Sequence, residues 1–124
     1  MAGGVSVPPG WPGRVPPPGS ADWQQRATDW LLDQSPGEYR SYPVLRRYPV
    51  VLAWLAEQNV RAHLDAARRA YATARSHLGE TLEPVVVAEV LTTLETDGAR
   101  LLAAVREVSL VHAALRGDPF TPRL

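Results

Sequence analysis

The sequence predicts an all-α fold: a long antiparallel helical hairpin, coiled-coil-like, braced by a short N-terminal helix and preceded by a Pro-rich disordered N-terminal tail. Two long stretches repeat apolar residues at alternating spacings of three and four, the pattern of helices that pack along a seam. Only a few residues separate these stretches, so the two helices are expected to run antiparallel. Six prolines fall within the first twenty residues, and proline cannot propagate a helix interior.

Length and composition limit the organisation of the chain. Its 124 residues, 45% of them hydrophobic, support one small domain with a core. We expect a tail over 1–19, a helical domain over 20–116 and a C-terminal tail over 117–124. The absence of cysteine excludes disulfides and thiolate metal sites.

The charge balance bears on the class of partner. Thirteen Arg, with no Lys, balance thirteen acidic residues, which argues against a dedicated nucleic-acid or anionic-membrane binder because both need a positive surplus. We attribute the excess of Arg over Lys to the codon usage of a GC-rich genome. The longest apolar run is far short of the ~20 residues of a membrane span, and no secretory segment is recognisable, so we expect a cytoplasmic protein.

The first helix and the turns after it follow from capping signals. Ser20 is the expected N-cap of a helix over about 20–34, whose apolar stripe includes Trp23 and Trp30. Ser35 to Glu38 match a capping box, which predicts short helical turns within 36–47. Pro49, the second proline of a repeated Tyr-Pro-Val motif, is expected to begin the second helix.

The long helices are predicted at about 49–78 and about 83–116. Gly117 and Pro119 are expected to stop the third helix. Gly98, inside it, is attributed to close helix approach over Ala66 and Ala67, with a kink or hinge as the alternative. The seam residues are Val60, Leu64, Ala67, Tyr71, Ala74 and Leu78 on the second helix, and Val87, Leu91, Leu94, Gly98, Leu101, Val105, Val108, His112 and Leu115 on the third.

Charge supports this pairing. Residues 36–78 carry a net charge of +4 and residues 79–116 a net charge of −3. A turn near residue 81 makes the numbers of facing residues sum to about 163. This register predicts three ion pairs between the helices: Arg75 with Glu89, Arg68 with Glu95, and Glu57 with Arg106.

No catalytic or metal-binding pattern is present in the sequence. The three histidines do not converge in the predicted hairpin, and zinc or di-iron sites need three or four clustered ligands. His112 lies on the apolar seam and is expected to be a core imidazole. No phosphate-binding loop or Ser-His-Asp arrangement is recognisable. We therefore expect no enzymatic activity and no cofactor.

Candidate partner-binding residues fall in three places. Trp11, in the tail, is expected either to fold back on its own domain or to dock on a partner. Val86 and Val90 lie outside the seam at the far end of the hairpin and are expected to contact a second copy or another protein's helix. Arg40, Arg46 and Arg47 form either a solvated face or a docking patch for an acidic partner or RNA. Residues 50–56, apolar around the whole helix, are instead expected to be covered by aromatic side chains of the same chain.

Several stretches resemble short helical proteins of high-GC actinobacteria that have no assigned activity. They are Trp30–Asp33, Glu38–Arg40, Tyr42–Val50, Gly98–Leu102 and Ala114–Gly117. The resemblance covers most of the chain after the tail. It implies a bacterial cytosolic origin, with no binding or catalytic residue to carry over.

The function expected from the sequence is a non-enzymatic protein–protein interaction or assembly module that self-associates or docks on a partner protein. One alternative is a nucleic-acid or ribosome-associated factor that uses the three arginines. Another is a helical protein that binds a small molecule near Trp30 and Trp54.

Overall fold

The computed structural model describes residues 7–118. Within this range the chain forms helix α1 (Trp23–Asp33), a 3-10 helix (Gly37–Ser41), and helices α2 (Pro43–Arg47), α3 (Pro49–Leu78) and α4 (Pro84–Leu115), with no strand. Helices α3 and α4 pack against each other along their length. The prediction of an all-α fold with a packed pair of long helices is confirmed.

The N-terminal segment differs from the disordered tail that the sequence predicts, at least for residues 7–19. This segment forms a series of turns, and Pro12 and Val15 are buried. Trp11 packs against the core, and its indole Nε1 donates a hydrogen bond to the carbonyl of Val15 at 2.8 Å. Apolar contact with the helices therefore orders a proline-rich segment that has no secondary structure of its own. Residues 1–6 of the predicted tail lie outside the described residues.

Both predicted N-caps are wrong. Helix α1 begins only at Trp23, after Asp22 in a left-handed conformation (φ 61°), which Asp tolerates better than most residues. The Ser20 hydroxyl instead donates to the carbonyl of Pro17. The Ser35 hydroxyl donates back to the carbonyl of Leu31 at 2.7 Å. Ser35 thus stabilises the end of α1 and does not cap the 3-10 helix.

The ends of the long helices follow from proline and glycine. Pro49 and Pro84 occupy the first turns of α3 and α4, where the missing N–H has no intrahelical partner to lose. At the end of α4, Gly117 has a φ of 83°. Its N–H donates to Ala114 and that of Asp118 to Ala113, both at 3.0 Å. These two bonds form a Schellman motif, which satisfies the last carbonyls of α4.

The buried residues form two separate clusters of very different size. The larger has sixteen members from the N-terminal segment, α1, α2, α3 and α4, and extends along the hairpin from its open end to Leu64 and Leu101. The smaller has only Ala74, Val87 and Leu91. We call the part of the hairpin around the first cluster the braced half and residues 66–98 the distal half. Among residues 7–118, the two helices of the distal half have only each other to pack against.

Candidate interaction surfaces

The braced half carries a surface of exposed large apolar side chains, which we call the aromatic face. Its members are Tyr42, Val44, Tyr48, Val51 and Trp54. Tyr48 and Trp54 are 55% and 52% exposed, so each leaves about half of a large aromatic side chain in water. Scattered exposed apolar residues are ordinary on a protein surface, whereas a contiguous group of them marks an interaction site.

Local sequence explains why these side chains point outward. Pro43 and Pro49 begin α2 and α3, and a proline keeps the residue before it out of the helical conformation. Tyr42 and Tyr48 accordingly have ψ angles of 100° and 80°. Tyr48, Val51 and Trp54 then recur every three residues, which places them on one side of α3.

The prediction that residues 50–56 are covered on every side is wrong. Leu52, Ala53 and Ala56 are fully buried, but Val51 and Trp54 are exposed. Helices α1 and α4 cover two sides of α3 here, and the five residues of α2 are too short to cover the third. The regular spacing of Tyr48, Val51 and Trp54 away from the seam is the sequence signal that could have revealed this open side.

The three predicted arginines lie beside the aromatic face, and each has a partner in the same chain. Arg40 pairs with Asp33 at 2.6 Å and Arg46 with Asp29 at 3.5 Å. The guanidinium of Arg47 lies 5.7 Å from the centroid of the Tyr48 ring, within the range of a cation–π contact. Both ion pairs are half exposed, so each contributes only ~0–1 kcal/mol to stability. They do lower the net positive charge of this corner.

An open cleft of about 410 Å³ lies between the end of α1, α3 and α4. Neither Trp30, which is buried in the core, nor Trp54 lines it. Most of its polar groups already have partners. Asn59 Nδ2 donates to the Tyr39 hydroxyl at 2.8 Å, and Arg100 binds Asp97 at 2.8 Å. The small-molecule site predicted between Trp30 and Trp54 therefore does not coincide with this cleft.

A partly buried polar network joins α3 to α4 within the braced half. His112 Nδ1 lies 2.8 Å from Glu57 Oε1, and Arg61 donates two hydrogen bonds to Glu57 Oε2 at 2.9 and 3.1 Å. Burial opposes ionisation of Glu57, but the hydrogen bonds from His112 and Arg61 outweigh it, so the pKa of this carboxyl lies below its ordinary value. His112 is thus a core imidazole, as the sequence predicts, with a partner that the sequence did not reveal.

The predicted ion pairs between the long helices do not form. Among residues 7–118, no Arg–carboxylate pair within 4 Å joins α3 to α4. The polar contacts between these helices are Glu57 with His112 and the Tyr71 hydroxyl, which donates to Glu95 Oε1 at 2.9 Å. This hydrogen bond and the charge of Glu95 raise the pKa of Tyr71. In these two contacts the numbers of the facing residues sum to 166 and 169. The predicted register assumed a sum of about 163. The difference displaces each predicted Arg along the helix from its predicted carboxylate.

The remaining predicted residues lie elsewhere. Val86 is 37% exposed and Val90 is half-buried, both in the distal half. Trp11 packs on its own chain, which is the first of the two alternatives expected for it. The structure thus brings Arg40, Arg46 and Arg47 to one corner and leaves Trp11, Val86 and Val90 away from it.

Within residues 7–118, no three His, Asp or Glu side chains are grouped so that they could hold a metal ion. No helix in the described part of the chain combines the length and apolar character needed to cross a bilayer. Comparison with protein families, with curated proteins and with solved structures finds no match to the chain.

Proposed function

We propose that this chain is a non-enzymatic protein-interaction module and that the aromatic face is the surface that binds its partner protein. The observation that carries the proposal is the exposure of Tyr48, Val51 and Trp54 along one side of α3, beside the exposed Tyr42 and Val44 of the preceding segment. Residues 7–118 cover these side chains only in part, and between about a third and a half of each remains in water.

The residue types on this surface support a protein partner. Trp, Tyr and Arg are the residues most enriched at the energetic centres of protein interfaces, and Arg46 and Arg47 border the aromatic face. A nucleic-acid binder would instead use unpaired cations to displace counterions from phosphates. Asp33 and Asp29 already accompany two of the three arginines, which favours a protein over a nucleic acid at this corner.

Site-specific photocrosslinking in the cells that encode the chain tests this proposal. A photoreactive amino acid at Val51 is expected to capture a discrete protein, because Val51 lies between Tyr48 and Trp54. The matched control places it at Asp65, which is exposed on the same side of α3 about four turns further on. Adding Trp54→Arg to the chain that carries the photoreactive amino acid at position 51 should abolish the adduct.

Three results would contradict the proposal. Identical adducts from positions 51 and 65 would mean that capture is unspecific. An adduct at position 51 that persists with Trp54→Arg would mean that the aromatic face does not bind the captured protein. An adduct that nuclease treatment removes would favour the nucleic-acid alternative.

A further inference from the structure

We propose that a second copy of this chain binds one side of the distal half and completes a four-helix bundle with it. This inference is independent of the proposed function, because the aromatic face belongs to the braced half. It rests on an open groove between α3 and α4, on a glycine that the single chain does not explain, and on the charges of the two helices.

The groove consists of two hollows. One, of about 220 Å³, is lined by Ala67, Arg68, Tyr71, Leu94, Glu95 and Gly98. Tyr71 belongs to the predicted seam, yet it is 41% exposed. Within the described residues, its hydroxyl bonds only to the Glu95 carboxylate. The seam thus opens at this level and leaves apolar surface in water.

The second hollow, of about 360 Å³, lies toward the tip of the hairpin, with Arg75, Leu82 and Leu91 among its lining residues. Arg75 follows Arg68 of the first hollow by seven residues, and Leu91 precedes Gly98 by seven. Residues seven apart lie on the same side of a helix, so both hollows open on one side of the hairpin. We call this combined surface the distal groove.

Gly98 lies in the distal groove without a reason inside the single chain. A Cβ atom added at Gly98 would meet nothing within 4 Å, so the predicted close approach over Ala66 and Ala67 does not explain it. Glycine in a helix interior destabilises the helix relative to alanine. A helix of another molecule that crosses at this point would need the space that a missing side chain leaves.

Charge identifies that molecule as a second copy. Residues 66–78 contain three Arg and no acid, whereas residues 80–97 contain five acids and no base. No carboxylate of residues 7–118 lies within 4 Å of Arg68, Arg69 or Arg75. The distal half therefore presents a basic helix and an acidic helix side by side, and its complement is the same pair in reverse order.

This complementarity also determines the symmetry. A twofold axis parallel to the helices places α3 of each copy against α4 of the other, with both tips at the same end. A twofold axis perpendicular to the helices would instead place the basic α3 against its own copy. The first arrangement brings Arg68 within about one turn of the level of the partner's Glu95, because Glu95 faces Tyr71, three residues from Arg68.

Sedimentation equilibrium of the full chain between about 5 and about 500 µM tests the inference, because this range detects weak as well as strong association. We expect a monomer–dimer equilibrium that Gly98→Leu weakens at least about tenfold. Ala103→Leu is the matched control, because Ala103 is exposed and points about 140° away from Gly98 on α4. Circular dichroism establishes that both variants retain their helices.

A charge exchange tests the arrangement separately. Arg68→Glu and Glu95→Arg are each expected to weaken the dimer, and the double variant to restore it to within about threefold of the original. Added salt should weaken the original dimer, because salt screens the attraction between exposed charges.

Three outcomes overturn the inference. The first is a chain that stays monomeric over the whole concentration range. The second is a dimer that survives Gly98→Leu but is lost in Val86→Glu, since Val86 lies on the other flank of α4. The third is a double charge variant that associates no better than either single variant, which would exclude the pairing of α3 with the partner's α4.

Discussion

The two halves of the hairpin are built from the same two helices, α3 and α4, but differ in what surrounds them. In the braced half, α1, α2 and the N-terminal segment add a third layer, and sixteen buried residues form one cluster. In the distal half only three residues are buried. A pair of helices buries one stripe of each, so the same seam makes a core where a third element covers it and leaves a groove where none does.

Truncation of a buried leucine in each half gives the largest expected contrast. Leu52 is fully buried among three helices, whereas Leu91 belongs to the small cluster. We expect Leu52→Ala to lower the free energy of unfolding by about 3–5 kcal/mol and Leu91→Ala by about 2–3 kcal/mol, because an open site collapses more easily around a cavity. Urea denaturation at a concentration where the chain is monomeric measures both. Equal losses, or the reverse order, would contradict the difference between the halves.

The Glu57–His112 contact, which lies in the braced half, predicts that the free energy of unfolding depends on pH. Because the pKa of Glu57 in the folded state lies below its ordinary value of 4.5, the folded protein binds fewer protons than the unfolded chain in this range. Its contribution to stability is therefore complete above about pH 4.5 and is lost as the pH falls through the lower, folded value.

Glu57→Gln is expected to cost about 1–2 kcal/mol near pH 7 and progressively less as the pH falls below about 4.5, because the carboxyl of the original chain becomes protonated. Thermal unfolding across this pH range measures the change, with the exposed Glu38→Gln as a control that should follow the original chain. A Glu57→Gln cost that does not change with pH would exclude the carboxylate as the stabilising form.

The aromatic face should matter for binding far more than for folding. We expect Trp54→Ala to change the free energy of unfolding by less than about 1 kcal/mol, because half of this side chain is already in water. Trp30→Ala, in the core, is expected to cost about 3–5 kcal/mol. Chemical denaturation of the two variants compares them. A large loss with Trp54→Ala would mean that the aromatic face serves the fold.

The smallest expected effect is that of Gly98→Ala, which should stabilise the folded monomer but weaken the dimer. Gly98→Ala should stabilise the monomer by about 0.5–1 kcal/mol, because alanine favours the helix and its methyl group meets nothing within 4 Å. The same methyl group should weaken the dimer. Thermal unfolding at low concentration and sedimentation at high concentration measure the two effects. If Gly98→Ala both stabilises the monomer and strengthens the dimer, Gly98 does not lie in the dimer interface.

The helix pair could be predicted from the sequence because its signals are repeated over many turns. The alternating spacing from Val60 to Leu78 and from Val87 to Leu115 is helical throughout, and Pro49 begins α3 and Gly117 ends α4 through their own backbone chemistry. One misassigned residue does not change a spacing that is repeated over so many turns.

Predictions that depended on one residue, such as a helix cap or an ion pair, were less dependable, because each of these side chains can bond to another group nearby. The hydroxyls of Ser20 and Ser35 bond to preceding carbonyls instead of capping a helix. A small shift in register replaces the expected Arg–carboxylate pairs with Tyr71–Glu95 and Glu57–His112. The exposure of Trp54 depends on how far α2 reaches, which is a tertiary property that hydropathy does not encode.

Hydrogen exchange at two protein concentrations tests most directly whether the distal half is incomplete in the single chain. At low concentration, the backbone amides of residues 66–98 should exchange faster than those of the braced half, because fewer buried contacts hold the distal helices together. At high concentration, protection should rise in residues 66–98 and stay unchanged around Leu52 and Val108. Equal protection of both halves at low concentration, with no change at high concentration, would contradict this account.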